Sequence, residues 1–417
     1  MVNDLERTVL ESIDPELVVR WTRELTRIPS VYRPKQGEAE EGAARWVKGR
    51  FEELGLETTW EDVEPGRPNV IGVLPGPEGS RRLMFEGHTD VVTEGDAGAW
   101  THPPFEAEVA DGRIYGRGVN DMKGGLVAAI VATKAIVDQG VKLGGSILIG
   151  ALADEEGEMK GVKDFVARGW GKGVTAAVIC EPEDNRLCIE QKGVMWARIT
   201  MTGVMAHGAM PLTGVNPIHH AAALLREVKA WEEDEIRIHG EHPLMGKPSI
   251  TPTIVQSPAS GEPQNNVLPA QATVTLDFRL LPSQSPEDME SKLRAILQRL
   301  KDADPTFDAE YHVIDSRPPT ATPRDEPIVQ TLDQAYRDVA GKEPVYGAVP
   351  GTTDGTILFT KAGIPVVTCG PGDTHIPHHV DEYLDIQQLV DATRLYALAA
   401  MRYLGVKELE QTGPRRS

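Results

Sequence analysis

Five short stretches of the chain place histidine and carboxylate side chains where they could do chemistry. The first is GHTD, with His88 and Asp90. The second is GRGVNDMKGG, where glycines let the backbone turn tightly around Asp121 before a helix begins. The third is ADEEGE, with Glu155 and Glu156 side by side. The fourth is CEPED, which carries Glu181. The fifth is GPGDTHIPHHVDEYL, with His375, His378 and His379 in one loop. Each alone has an ordinary reading as a capped glycine turn or a solvated acidic loop. Together they offer imidazole and carboxylate donors, with no thiolate required. That set suits zinc and its neighbours. Adjacent carboxylates are costly unless positive charge balances them, and metal ions supply it. An open site with two metals, a bridging carboxylate and a spare glutamate is what amide hydrolysis needs. The G-x-G of the second stretch opens no phosphate fingerprint, and no acidic residue stands at dinucleotide spacing.

The elements around these stretches alternate between helix and strand. Asp14-Pro15 is a helix start, and Leu17, Trp21, Leu25 and Ile28 then fall on one face until Pro29. A second helix is expected from Ala39 to Leu54, stopped by Gly55. Strands are expected at Asn69–Leu74, Leu83–Glu86, Ser146–Ala153 and Val174–Cys180, with helices at Lys123–Asp138 and Val162–Arg168. This alternation argues for an α/β sheet with helices on both faces. Ligands in such sheets gather at the carboxyl ends of the strands, where these stretches lie.

The texture changes near Gln191. Met195–Met201 and Gln271–Leu280 alternate apolar and polar residues, as in a sheet with one wet face. Ala272, Val274, Leu276 and Phe278 point one way, and Thr273, Thr275, Asp277 and Arg279 the other. Helices are expected from Asn216 to Trp231, with His219 and His220 half exposed, and after Ser285-Pro286. A strand follows at Asp308–Ile314. The α/β pattern then returns with a helix at Ile328–Val339 and an apolar run at Ile364–Thr368. The organisation expected is a doubly wound domain, residues 1–190 and 316–417, interrupted by an α+β insertion at 191–315. The terminal QTGPRRS is expected to fray.

Composition removes other classes. The 417 residues carry 43 Lys+Arg against 63 Asp+Glu, a net charge of −20. Nucleic acid and anionic membranes need a basic footprint, so neither is an expected partner. No apolar run is long enough to span a bilayer. The acidic start MVNDLERTVLESIDPEL does not read as a signal peptide, and three cysteines fit a reducing cytoplasm.

The order of motifs resembles one family. GHTD, HPPF, GRGVNDMKGG, DEEG, CEP, MAHGAMP, GVNPI, NNVLP, DFR, GTTDG and H-x-x-D-E follow one another from about Leu17 to Leu404. The succession is similar to that of the di-zinc metallopeptidases that include acetylornithine deacetylase, succinyl-diaminopimelate desuccinylase, aminoacylase and the bacterial glutamate carboxypeptidase. The resemblance implies a zinc-peptidase catalytic domain and an inserted ferredoxin-like domain that acts as lid and dimerisation surface. It implies that Asp121 bridges two metals, that His88 and Glu181 complete one, and that Glu156 and His378 complete the other. Zinc is the expected metal, with cobalt or manganese as substitutes. Asp90 would orient His88, and Glu155 would be the general base. His207, in MAHGAMP, would supply an oxyanion donor from the other subunit of a homodimer. Asn266, Arg279 and Thr353 match positions around the substrate. A fixed guanidinium suits a substrate carboxylate, and the less favoured alternative is that Arg279 pairs with Asp277 within its sheet. A cis peptide is implied after Asp121.

The expected activity is therefore hydrolysis of an amide in an N-acyl amino acid, as in deacetylases and desuccinylases. A carboxypeptidase or dipeptidase uses the same metal chemistry and competes. A non-catalytic homologue would have lost the base or a ligand, and here Glu155 and the five ligand positions are all present.

Overall fold

The structure is a computed structural model that describes residues 2–407, so the tail expected to fray lies outside the described residues. The chain divides into two compact units. The first holds residues 1–189, 322–347 and 353 onward, and the second Glu190–Ala321 with Ala348–Thr352. The sequence-based boundary at residue 315 falls inside a strand, Asp308–Arg317, of the second unit.

The sheet of the first unit has a parallel heart. Ser146–Leu152, Arg82–His88, Ala176–Pro182 and Val366–Gly370 are neighbours in that order, all parallel. An antiparallel hairpin, Glu57–Glu64 with Arg67–Leu74, extends one side, and Leu187–Gln191 the other. Ser146–Leu152 and Ala176–Pro182 are buried at every residue, which is why they read as unbroken apolar runs. Side chains alternate between the two faces. Leu83, Phe85, Ile147 and Ile149 pack with Gly124–Asp138 and Ile386–Leu404, whereas Met84 and Leu148 pack with Lys160–Ala167 and Gly355–Ala362. This is the doubly wound arrangement expected.

The glycines after Asp121 serve close packing. A Cβ on Gly125 would stand 1.9 Å from the carbonyl oxygen of Cys180. The helix therefore lies against the strand that carries Glu181, and only glycine permits the approach.

The second unit is a four-stranded antiparallel sheet, ordered Ser249–Gln256, Gln271–Leu280, Gly193–Thr202, Asp308–Arg317. With helices Pro217–His239 and Pro286–Ala303 the chain runs β-α-β-β-α-β, the ferredoxin-like pattern. Ala272, Val274, Leu276 and Phe278 are all buried in its core, as their alternation required. Ser249–Gln256 was not evident in the sequence. Pro252 lies within it and most of its residues are exposed, so it carries no buried apolar face. The expectation for His220 is corrected: its ring is buried and packs 5.2 Å from that of Phe307, while His219 is exposed. Among the described residues, no helix is long and apolar enough to cross a membrane.

Gly125→Ala should lower stability by about 1–3 kcal/mol, the scale of overpacking. Thermal denaturation would read this as a fall of several degrees. An unchanged midpoint would mean that the helix can back away from the strand.

Candidate metal centre

Four parallel strands deliver the donors. His88 ends Arg82–His88, and Glu181 lies near the end of Ala176–Pro182. Glu155 and Glu156 follow Ser146–Leu152, and His378 follows Val366–Gly370. Asp121 sits in the turn before Gly124–Asp138, and the Asp121–Met122 peptide is cis. All belong to the first unit.

Asp121 faces two histidines with different oxygens. Its Oδ1 is 3.1 Å from His88 Nε2, and its Oδ2 is 3.4 Å from His378 Nε2. Each histidine also meets one glutamate. His88 Nε2 is 3.3 Å from Glu181 Oε1, and His378 Nε2 is 2.9 Å from Glu156 Oε1. Zinc–donor bonds of about 2.0–2.1 Å at tetrahedral angles put neighbouring donors roughly 3.3 Å apart. The four spacings surround that value, so the donor set fits two divalent ions sharing Asp121. Looser groupings also hold: His88, Asp121 and Glu156 lie within 4.8 Å of one another, as do His88, Glu155 and Glu181. The shorter contacts give each histidine its own glutamate and its own oxygen of Asp121.

The ring of His88 is oriented by a backbone group. Its Nδ1 lies 3.0 Å from the carbonyl oxygen of Asp90, so Nδ1 donates and Nε2 keeps its lone pair for a metal. The Asp90 carboxylate lies 3.5 Å from the same Nδ1 and also accepts the amides of Glu155 and Glu156, at 3.1 Å each.

Negative charge is crowded here. Burial, then the charge of Asp121, pushes Glu181 up to about 8. Burial, then Glu181, raises Glu155 well above the usual carboxylate range. Burial and Asp121 raise Glu156. Burial also opposes ionisation of Asp121, but His378 and His88 hold its carboxyl below the ordinary value. Hydrogen bonds to Asp121 and Glu156 push His378 up to about 10. Cations are what would allow all four carboxylates to ionise together at neutral pH.

Two residues that sequence reading left without a role hold the centre together. Glu382 accepts the amides of Asn120 (2.9 Å) and Asp121 (3.1 Å) and pairs with Arg117 at 2.5 Å. Arg117 Nη2 also donates to the carbonyl oxygen of His378 at 3.2 Å. The loop of the bridging aspartate and the loop of His378 are thus tied through one buried ion pair. The available signal was the E of H-x-x-D-E and the R of GRG. The histidines that face Asp121 are His88 and His378, and not their loop neighbours His375 and His379.

The remaining positions fall elsewhere. His207 and Asn266 are neighbours in the second unit: His207 pairs with Val267, and Gly208 N donates to Asn266 O at 2.6 Å. Arg279, also there, is forked onto Asp277 (Nε–Oδ1 2.7 Å, Nη2–Oδ2 3.0 Å), so the in-sheet ion pair is formed. Thr353 is buried, and its Oγ1 accepts the amide of Gly355 at the start of helix Gly355–Ala362.

A profile of the peptidase family M20/M25/M40 matches residues 84–402. The chain belongs to that family and is a metal-dependent amidohydrolase. It is 31% identical over 404 residues to a succinyl-diaminopimelate desuccinylase of Rhodospirillum centenum, covering 94% of this chain and 98% of that protein. Its fold is similar to that of an M20 family metallo-carboxypeptidase from Sulfolobus solfataricus, with a TM-score of 0.75 and 20% identity over 93% of this chain and 99% of that one. It is also similar to a dinuclear metal binding peptidase of the M20 family from Bacillus subtilis, with a TM-score of 0.68 and 17% identity over 94% of this chain and 98% of that one.

Asp121→Ala removes the one group that faces both histidines. Metal content after dialysis should fall from about two ions per chain to fewer than one. Elemental analysis showing full occupancy would deny Asp121 the bridging position.

Proposed function

We propose that this protein is a di-zinc deacylase that cleaves the amide of N-acyl amino acids, with desuccinylation or deacetylation as the reaction. The observation that carries the reading is Asp121, whose two oxygens each face a separate histidine–glutamate pair beside the half-buried Glu155. His88 and Glu181 would hold one ion, Glu156 and His378 the other, and Asp121 both. Zinc fits the nitrogen and oxygen donors best, and cobalt or manganese could replace it. When bound, the ions acidify water and polarise the acyl carbonyl. Glu155 takes the proton of the attacking water and returns it to the leaving nitrogen. A raised carboxyl pKa suits that double duty, since the group must both accept and release a proton near neutral pH. Asp90 fixes where Glu155 stands by accepting its amide.

His207 would donate to the developing oxyanion. Its Nδ1 accepts the amide of Ala209 at 3.0 Å, so the neutral ring carries its proton on Nε2 and can donate it outward. Arg279, held by Asp277, would meet the substrate carboxylate, with Asn266 and Thr353 near the substrate. The desuccinylase named among the relatives, aligned over nearly the whole chain, favours an acyl amino acid over a peptide. We further read the protein as a cytoplasmic homodimer joined through the second unit. The exposed edge strand Ser249–Gln256 and three buried cysteines with free thiols support those two points.

Amine release would be measured on N-succinyl, N-acetyl, N-formyl and aromatic N-acyl amino acids beside plain dipeptides, with zinc and after chelation. Turnover should be metal-dependent and confined to one acyl class. Glu155→Ala should lower it by about three decades or more while both metals stay bound. Preference for dipeptides would move the protein to the peptidase branch.

The trans role of His207 is tested by mixing. Glu155→Ala and His207→Ala homodimers should each be poorly active, the second by about two to three decades. An equimolar mixture allowed to exchange subunits at random should recover roughly a quarter of wild-type turnover, because about half its dimers would be heterodimers and one of the two sites in each would be complete. No recovery, with heterodimers present by mass, would place His207 outside the partner's site.

A further inference from the structure

The strand Arg67–Leu74 opens with Arg67-Pro68-Asn69. Alternate residues of a strand point to the same face, so Arg67 and Asn69 act on one neighbour. That neighbour is the loop between Ser146–Leu152 and Lys160–Ala167, which carries Glu155 and Glu156. Asn69 holds both stems of the loop. Its Oδ1 accepts the amide of Ala153 at 3.1 Å, and its Nδ2 donates to the carbonyl oxygen of Gly161 at 2.8 Å. Arg67 holds the first turn, with Nη1 2.5 Å from Asp154 Oδ1. The other oxygen of Asp154 accepts the amides of Glu158 and Lys160, at 3.2 Å each. Asp154 itself is in the left-handed region at φ 64°, a conformation that its contacts must maintain.

The same guanidinium reaches the loop by a second route. Its Nη2 lies 4.0 Å from Asp90 Oδ2, and Asp90 accepts the amides of Glu155 and Glu156. Its remaining edge is forked onto Glu40, with Nε–Oε1 2.8 Å and Nη2–Oε1 2.6 Å. The ring of Tyr32 covers it at 3.9 Å. Arg67 is only 3% exposed, and Glu40, Asp90 and Asp154 are all buried around it. One cation thus organises three buried carboxylates, two of which grip the loop. A guanidinium can do this because its separate edges serve different carboxylates at once, whereas an ammonium is a single point.

We infer that Arg67, with Asn69, is a positioning residue that fixes the loop bearing Glu155 and Glu156 at the edge of the metal centre. The inference rests on Glu155 acting as the general base. Neither Arg67 nor Asn69 touches the reacting atoms, and their effect passes through Asp154, Asp90 and the loop stems.

Arg67→Lys keeps the charge and removes the fork. Asp154→Asn cuts the same link with a residue that also tolerates the left-handed backbone, so it keeps the test open if the lysine variant fails to fold. Hydrogen exchange of the metal-free protein should show faster exchange in residues 153–161 and little change elsewhere. With metals restored to wild-type stoichiometry, kcat should fall by about 10- to 100-fold while KM stays within about twofold. Wild-type exchange in the loop, or loosening spread over the whole unit, would overturn the inference. Full turnover with a loosened loop would overturn it too. Failure of the general-base reading would appear separately, as turnover surviving in Glu155→Ala.

Discussion

Asp121, Glu155, Glu156 and Glu181 converge on one edge of a parallel sheet, with two imidazoles among them. Carboxylates so close cannot all ionise on their own, and burial sharpens the conflict. The folded chain therefore holds an arrangement that is unfavourable until positive charge enters it. Rigid support is the condition for holding it. The strands that carry His88 and Glu181 are buried throughout or nearly so, and Glu382 with Arg117 locks the two loops that the sheet does not reach. Even the packing of the helix after Asp121 follows from this demand. Gly125 admits the helix to van der Waals distance of the strand bearing Glu181.

The parts legible in the sequence were those whose signal is local. Apolar runs ending in acidic residues or histidine marked the carboxyl ends of the strands, and the alternation in Gln271–Leu280 fixed its buried face. What stayed hidden depends on partners far away in the chain. Arg117 and Glu382 are 265 residues apart, so each stands in a motif but neither motif announces the other as its partner. The strand Ser249–Gln256 was missed because an exposed edge containing Pro252 has no buried face to impose a pattern. His220 reads as half exposed beside His219, yet Phe307, brought in from after the second helix, packs on its buried ring.

Charge on the second unit follows a different logic. Arg279 is paired with Asp277, and Trp196 Nε1 also donates to that carboxylate at 2.8 Å. The pair fixes the direction of the guanidinium at the cost of offsetting its charge. A substrate carboxylate meeting it would gain orientation more than attraction, because a large share of the field is already neutralised.

His88 and His207 show how the backbone two residues on sets which nitrogen of an imidazole is free. The carbonyl oxygen of Asp90 takes the Nδ1 proton of His88, which leaves Nε2 as a lone-pair donor aimed at Asp121 and Glu181. The amide of Ala209 donates to Nδ1 of His207, which puts the proton on Nε2 and makes that ring a hydrogen-bond donor. A neutral imidazole has one proton, and the backbone decides which nitrogen holds it. In GHTD the turn presents a carbonyl to the ring, and in MAHGAMP it presents an amide. A sequence motif of this length therefore encodes a tautomer as well as a residue.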